Sequence, residues 1–290
     1  MNNETGYSVG EAASICHVTI QTLRYYDKLG LVQPAIRNAA TGYRYYKKEQ
    51  LIRIQMIKHL KELGFSLEEI QGLLTSTDIK YLTEQVQTRL LAIWEEIEQM
   101  QAKYYSGYLF MERLQQGSSV LKRSLEPGAF DEDIVQIENI PAQDWIYIRR
   151  MKHNYHNEEI NIDRWAELLE LVRKEKAQAA GAISIVYHNQ PLEQFYATVC
   201  DYETCMPVKA VPTEHAQYYR HQDAYLAATT FHIGPYDSLI HSYMTLMRWV
   251  SENGYKVCGD MQDVFIISPI DTNNPEEYVT KIIAPISKLM

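Results

Sequence analysis

From Val86 onward the apolar or sterically permissive residues fall at Val86, Leu90, Ile93, Ile97, Met100, Tyr104, Gly107, Met111 and Leu114, in steps that alternate between four and three. A 3.5-residue repeat held for four heptads fits a seam shared by two helices, whereas the stripe of a helix packed only on its own domain drifts toward 3.6. Segment 81–117 is therefore predicted to be a long coiled-coil dimerisation helix, with Val86, Leu90, Ile93, Ile97, Met100 and Tyr104 in the seam of a homodimer. A single helix packed on its own domain is the competing reading. Tyr104 and Gly107 fit a tight seam poorly, so the C-terminal half of the helix is also a candidate for packing on a second domain. Such a helix divides the chain into an N-terminal unit, 1–80, and a C-terminal unit, 131–290, with a linker at 118–130 flanked by Gly117-Ser118-Ser119 and Glu126-Pro127-Gly128. The length, 290 residues, also favours two units and a connector over one domain.

The net charge of −9 looks wrong for a partner of nucleic acid until it is divided along the chain. Residues 1–80 hold 10 Lys+Arg against 8 Asp+Glu, and the rest hold 18 against 29. The acidic excess belongs to the C-terminal part, and only the surface that meets phosphate has to be positive.

Within 1–80, Ser8-Val9-Gly10-Glu11 forms a capping box that starts a short helix, and a turn around 14–18 follows. Thr19 caps a second helix that runs to Leu29 and ends at Gly30. Two short helices about a tight turn make a helix-turn-helix. Beyond it, Leu31–Pro34 is extended, a turn spans 37–42, and Tyr43-Arg44-Tyr45-Tyr46 is β-prone and basic, as a wing requires. Helical periodicity resumes at 48–63, and Ser66 caps a further helix to Leu74. Thr19, Gln21, Thr22 and Tyr25 on the second helix suit base-edge and phosphate contacts, and Arg24 suits a phosphate or a guanine edge. Leu23 and Tyr26 lie on the face that has to pack, and Tyr43 and Tyr46 could cover the base of the wing.

Ser8-Val9-Gly10-Glu11-Ala12-Ala13, Thr22-Leu23-Arg24-Tyr25-Tyr26-Asp27, Gly30-Leu31-Val32-Gln33-Pro34 and Gly42-Tyr43-Arg44-Tyr45-Tyr46 together resemble the MerR family of transcription regulators. The resemblance runs from about Tyr7 to Leu114. It implies an antiparallel coiled-coil homodimer on a palindromic promoter that, when activated, distorts an overlong spacer to suit RNA polymerase. It also implies that Arg24, Tyr25, Arg44 and Tyr45 contact the backbone of double-stranded DNA. Metal-sensing and oxidant-sensing relatives place cysteines near the end of the dimerisation helix, and residues 100–135 hold none. The thiolates for a soft metal or an iron–sulfur cluster are missing there, which leaves an organic effector and no cofactor.

After the linker, segments 134–138, 144–150, 183–187, 195–202, 224–232 and 264–267 read as strands, and 159–178 and 236–252 as helices. That order predicts an α+β domain with an antiparallel sheet and an internal duplication of strand, strand, helix and strand. The whole chain is thus a multidomain protein: an all-α winged helix-turn-helix unit, a coiled-coil helix and an α+β effector domain. Phe231-His232-Ile233-Gly234-Pro235-Tyr236, Trp249, Asn253-Gly254-Tyr255 and Asp263-Val264-Phe265-Ile266 resemble the GyrI-like effector-binding domain of multidrug-sensing regulators. The resemblance implies an acidic residue at the floor of an aromatic pocket, a position matched by Asp263 in place of the usual Glu. A Glu often seen near the final strand is replaced by Lys281. Read from the residues alone, Trp145 and Tyr147 on one strand face, Tyr187 on another strand, and Tyr225 or Phe231 on a third could line a cavity, with Phe265 beside Asp263. Such a cage would attract a lipophilic or cationic molecule.

Two other classes compete for the C-terminal unit. Some GyrI-like domains are hydrolases, and His215, His221 and His232 lie near Glu214, Asp223 and Cys205, but in no nucleophile-elbow or metal-ligand spacing. A protein-binding module is the other. Cys16, Cys200, Cys205 and Cys258 lack paired CxxC spacing and read as reduced thiols. No signal peptide is visible and no apolar run nears the ~20 residues that span a bilayer, so a cytoplasmic protein without a membrane partner is expected.

Overall fold

A computed structural model describes residues 6–38, 41–76, 78–125, 135–153, 162–211 and 216–289. The contacts divide the chain into two units, 1–100 and 101–290. In the first, β1 (Tyr7–Ser8) leads into α1 (Val9–Cys16), where Ser8 accepts from the Glu11 amide and the Glu11 carboxylate accepts from the Ser8 amide. The helix stops at His17, which adopts a left-handed conformation with φ 52°. Helix α2 (Ile20–Lys28) is capped by the Thr19 hydroxyl, and Gly30 takes φ +74° beyond its end. Strands β2 (Ile36–Arg37) and β3 (Arg44–Tyr46) form the wing in a three-stranded sheet of order β1-β3-β2. Residues 39 and 40 of the expected turn lie outside the described residues. Helices α3 (Lys48–Glu62) and α4 (Leu67–Thr75) complete the unit, α4 with a second capping box, Ser66 with Glu69. Ala12, Cys16, Leu23, Tyr26, Leu31, Tyr46, Ile54, Ile57 and Ile70 bury the apolar faces of these elements in one core. Leu23, Tyr26 and Tyr46 are thus core residues, whereas Tyr43 is 61% exposed.

Helix α5 (Ile79–Ser124) is continuous over 46 residues and passes through the expected linker start at Gly117-Ser118-Ser119. The correction has a packing cause. Gly117 is buried, and a Cβ there would collide with Cδ1 and Cγ1 of Ile267, so the missing side chain serves close helix–sheet approach rather than a turn. Residues 126–130 of the expected linker lie outside the described residues.

In the second unit, β4 (Gln136–Ile140), β5 (Gln143–His153), α6 (Ile162–Lys174), β6 (Ser184–Tyr187), a one-turn α7 (Glu193–Tyr196) and β7 (Val199–Val208) form a first half. The second half holds β8 (Tyr219–Gln222), β9 (Tyr225–Ile233), α8 (Leu239–Glu252), β10 (Tyr255–Val257), β11 (Met261–Ile267) and β12 (Val279–Lys288). The sheet runs β4-β9-β12-β11-β6-β7-β5-β8 with β10 on β12, and every named pair is antiparallel. Inside the edge strands the order β9-β12-β11 mirrors β5-β7-β6, so the expected duplication is present, with four strands in the first half and five in the second where three were anticipated in each. Strand 195–202 was expected one turn too early, because Glu193–Tyr196 is helical. The start of strand 134–138 and residues 159–161 of the first helix lie outside the described residues.

Strand β12 is missing from the segments read as strands, the last of which ends at 267, although the family resemblance put a final strand near Lys281. Pro285 lies beyond Ile283, the last residue of β12 before it that pairs with β11, faces Ala227 of β9 in register and accepts from the Cys258 amide through its carbonyl, so the strand runs past the proline to its pairing with β10 at Ile286. Helices α6 and α8 cover one face of the sheet, which carries Ile146, Ile185, Tyr187, Tyr202, Asp263, Phe265 and Ile282 against Trp165, Leu168, Tyr243 and Leu246. The other face carries Trp145, Tyr147, Ser184, Cys205, Gln262, Val264, Lys281 and Phe231, by the alternation of paired residues. Among the described residues no helix is long and apolar enough to cross a membrane.

Candidate nucleic-acid interface and effector cavity

On α2, Thr19, Gln21, Arg24 and Tyr25 are exposed and Thr22 half-buried, while Leu23, Tyr26 and Asp27 turn inward. The amphipathic split leaves one polar face open along the whole helix. Thr19 and Thr22 hydroxyls lie 2.7 Å apart, which steadies both side chains on the open face. Arg44 and Tyr45 on β3 are half-buried. Arg44 is not free for a phosphate: its Nε donates to Asp27 Oδ2 at 2.7 Å, and the Nη2 of Arg37 donates to both Asp27 oxygens at 2.7 Å. The Asp27 side chain is 4% exposed, so α2 and both wing strands meet at one buried carboxylate. No local pattern in the sequence marks Asp27 for this role. Its partners lie 10 and 17 residues away with no helical or strand spacing to join them.

On α5, Leu90, Ile97, Met100 and Tyr104 are 51%, 42%, 66% and 76% exposed, and Ile93 is half-buried. Val86 differs from the rest of the expected seam, since with Leu82 it packs on the N-terminal core. Leu91 and Trp94, 69% and 60% exposed, widen the open apolar stripe.

In the second unit, Ser106, Leu109, Phe110, Glu112, Arg113 and Gln116 of α5 wall a cavity of about 850 Å³. Its other walls are the 179–183 segment and the sheet face bearing Trp145, Gln262, Val264 and Lys281. The helix is fastened beside the cavity: Arg113 donates to both oxygens of Asp271 at 2.8 and 2.7 Å, and Lys209 Nζ lies 3.6 Å from the centre of the Tyr105 ring. Lys281 donates to Glu138 at 2.7 Å. Burial works against ionisation of Glu138, but hydrogen bonds from Lys281 and Thr229 outweigh it and hold the carboxyl below its usual range.

The aromatic cage expected around Asp263 is divided between the two sheet faces. Trp145 lines the cavity. Tyr147, Tyr225 and Phe231 share its face, the first packing on Trp145, the second donating to Gln262 at 3.5 Å and the third lying under Lys281. Tyr187, Asp263 and Phe265 point to the opposite, helix-covered face and are 1%, 0% and 5% exposed. Asp263 accepts from Tyr243 at 2.7 Å and from Tyr187 at 3.1 Å, and Phe265 packs on Trp165 and Tyr236. Burial raises the Asp263 carboxyl to about 7, against those two hydrogen bonds. Asp263 is therefore part of the core under α8 and not the floor of the cavity, because a period-2 strand sends it to the face opposite Gln262 and Val264.

Residues 7–77 match the MerR HTH family regulatory protein, and residues 134–287, more than half of the chain, match the GyrI-like small molecule binding domain. The transcriptional regulator ZntR of Escherichia coli (strain K12) is 36% identical over 102 residues, which cover 33% of this chain and 72% of ZntR. The chain belongs to the MerR family and carries a GyrI-like domain. The multidrug-efflux transporter 1 regulator of Bacillus subtilis (strain 168) is 47% identical over 68 residues, 23% of this chain. The match spans 24% of that regulator's own length, and 54% of the mercuric resistance operon regulatory protein of Bacillus cereus. Among solved structures, the EcmrR chain of an EcmrR–DNA complex is 24% identical with a TM-score of 0.45, covering 97% of this chain and 100% of that one. A hydrolase from Listeria innocua is 10% identical with a TM-score of 0.38, covering 57% of this chain and 96% of that one. Among the described residues no group of three or more His, Cys, Asp and Glu side chains could hold a metal ion.

Proposed function

We propose that the chain is an effector-responsive transcription regulator, and no enzyme, that binds promoter DNA as a homodimer and changes its output when an organic molecule occupies the C-terminal unit. The observation that carries this reading is the double use of one helix. From its N-terminal half α5 gives Leu82 and Val86 to the core that supports α2 and the wing. From Ser106 onward the same helix walls the cavity. A ligand that fills or reshapes the cavity acts on the helix that also carries the open stripe from Leu90 to Tyr104, and an element with two arrangements is what coupling between distant sites requires.

In this reading Thr19, Gln21, Thr22, Arg24 and Tyr25 face the duplex, with Tyr45 on the wing and Arg44 placing that wing through Asp27. Leu90, Ile93, Ile97, Met100 and Tyr104 join two copies. By family analogy the dimer acts in the cytoplasm on an overlong promoter spacer, distorting it for RNA polymerase. The test is selection of duplexes from a random pool by the full chain, followed by binding of the selected site. A palindromic preference is expected, and Arg24→Ala should weaken binding and make the salt dependence shallower by about one phosphate's worth of released counterion. Binding without sequence preference, or an unchanged salt slope in that variant, would refute the assignment.

A further inference from the structure

Helix α5 is seated on the rest of the N-terminal unit by an arginine. Leu82 and Val86 pack on the core, and Arg89, three positions after Val86, lies on the same face about one turn further along. Leu90, the next residue, already belongs to the open stripe and is 51% exposed. The Nε of Arg89 donates to the Leu63 carbonyl at 2.9 Å. Leu63 is the C-cap of α3, so this carbonyl belongs to the negative end of that helix, where a cation is favoured. Gly64 follows with φ +86°, its amide donating back to the Lys61 carbonyl. A Cβ on Gly64 would collide with Nη2 of Arg89, so the guanidinium occupies the space that the absent side chain leaves open.

The other side of α3 is tied in the same manner. Arg53 Nε donates to the Leu31 carbonyl at 2.7 Å, just past the end of α2, and α3 buries Leu51, Ile54, Ile57 and Leu60 in the core that holds Leu23 and Tyr26. One arginine thus joins α3 to the end of the reading helix, and a second joins α5 to the end of α3. Apolar contacts such as those of Leu82 and Val86 keep α5 against the core without fixing its direction, because burial is non-directional. A hydrogen bond made in a fitted seat does fix direction, since it weakens steeply as donor and acceptor become misaligned.

In a dimer joined along α5 that direction governs how far apart the two reading helices stand. The stripe from Leu90 to Tyr104 is about 21 Å long at a rise of about 1.5 Å per residue. A tilt of roughly 10° at Arg89 therefore moves its far end by about 3.5 Å, close to the step of one base pair. One added base pair also turns a half-site by about 35°. Resting on the reading of the chain as a DNA-binding homodimer, we infer that Arg89, seated against Gly64, is a positioning residue that sets the separation of half-sites the dimer accepts.

The test uses the full chain and the duplex selected from the random pool, rebuilt with its half-sites moved apart or together one base pair at a time. Wild type should show one optimum and lose roughly tenfold in affinity a base pair away, because the misfit has to be absorbed by deforming the duplex. Arg89→Met keeps an unbranched stem and removes the hydrogen bond. It should stay dimeric by sedimentation, bind an isolated half-site as wild type does, and lose less than about threefold a base pair from the optimum. Gly64→Ala crowds the same seat from the other side and should flatten the profile alike, with the double variant no flatter than either; Arg89→Met carries the test alone if that variant does not fold. A spacing profile in Arg89→Met as sharp as that of wild type overturns the inference and leaves the dimer reading standing. A flattened profile accompanied by an equal loss of affinity for the isolated half-site marks a merely structural role and overturns it too. Wild type that binds every spacing alike, or binds one half-site as tightly as a pair, overturns both the inference and the dimer reading.

Discussion

Asp27 is predicted to act on DNA binding without touching DNA. Its carboxylate, 4% exposed, ties α2 to Arg44, whose side chain is 27% exposed, and to Arg37, at 56%. A hydrogen bond to a charged group contributes about 1.5–3 kcal/mol when its partners are shielded, and the more exposed Arg37 contact is discounted to about 0–1 kcal/mol. Asp27→Asn keeps the volume and removes the charge, so the wing loses about 2–3 kcal/mol of its attachment. If only the attached wing binds, the apparent affinity falls by at most on the order of 10- to 100-fold. The assay is a double-mutant cycle of Asp27→Asn and Arg44→Ala, read by duplex binding across a salt series. Each single variant should weaken binding with the salt slope unchanged, and the double variant should be little worse than either, because both remove one contact. The reasoning fails if Asp27→Asn binds as tightly as wild type while Arg44→Ala flattens the slope by about one. That pair of results would mean that Arg44 leaves Asp27 for a phosphate in the complex.

Three further outcomes follow from the packing. Ile97→Asp puts a charge into the stripe running from Leu90 to Tyr104, and the chain should sediment as a monomer at micromolar concentration and lose tight DNA binding; a stable dimer would locate the contact elsewhere. Gly117→Ala gains helix propensity of about 1 kcal/mol, but its Cβ would collide with Cδ1 and Cγ1 of Ile267. It should therefore lower the unfolding midpoint, and Ile267→Ala in the same chain should restore it; an unaided gain in stability would show that Ile267 yields freely. Asp263 holds its proton in the folded state up to about 7, against about 3.9 unfolded, so the folded chain binds the extra proton between those values. Stability contributed by this group is present at low pH, is lost as pH rises across that window, and changes no further above it. Thermal unfolding of Asp263→Asn relative to wild type should improve from pH 5 to pH 8, and a difference that does not vary with pH would contradict the burial argument.

Local signals carried much of the architecture. Ser8 with Glu11, Thr19 and Ser66 with Glu69 cap helices where the sequence places them, because a cap is satisfied within four residues and needs no distant partner. The heptad steps announced α5, on which Leu90, Ile97, Met100 and Tyr104 are exposed. Trp145 was legible as a cavity residue from its strand face. Tertiary structure decided the rest. Whether Gly117 breaks or continues a helix depended on Ile267, 150 positions on, and whether Pro285 excludes a central strand depended on which neighbours reach that point of the ladder. Alternation along β11 is visible in sequence, but which of its two faces meets helices is not, and that choice put Asp263 with Tyr187 and Tyr243 while leaving Lys281 and Ser184 on the cavity wall. The physical reason is range: caps and periods are satisfied within a few residues, whereas burial, charge pairing and the facing of a sheet are fixed by partners brought together only when the chain closes on itself.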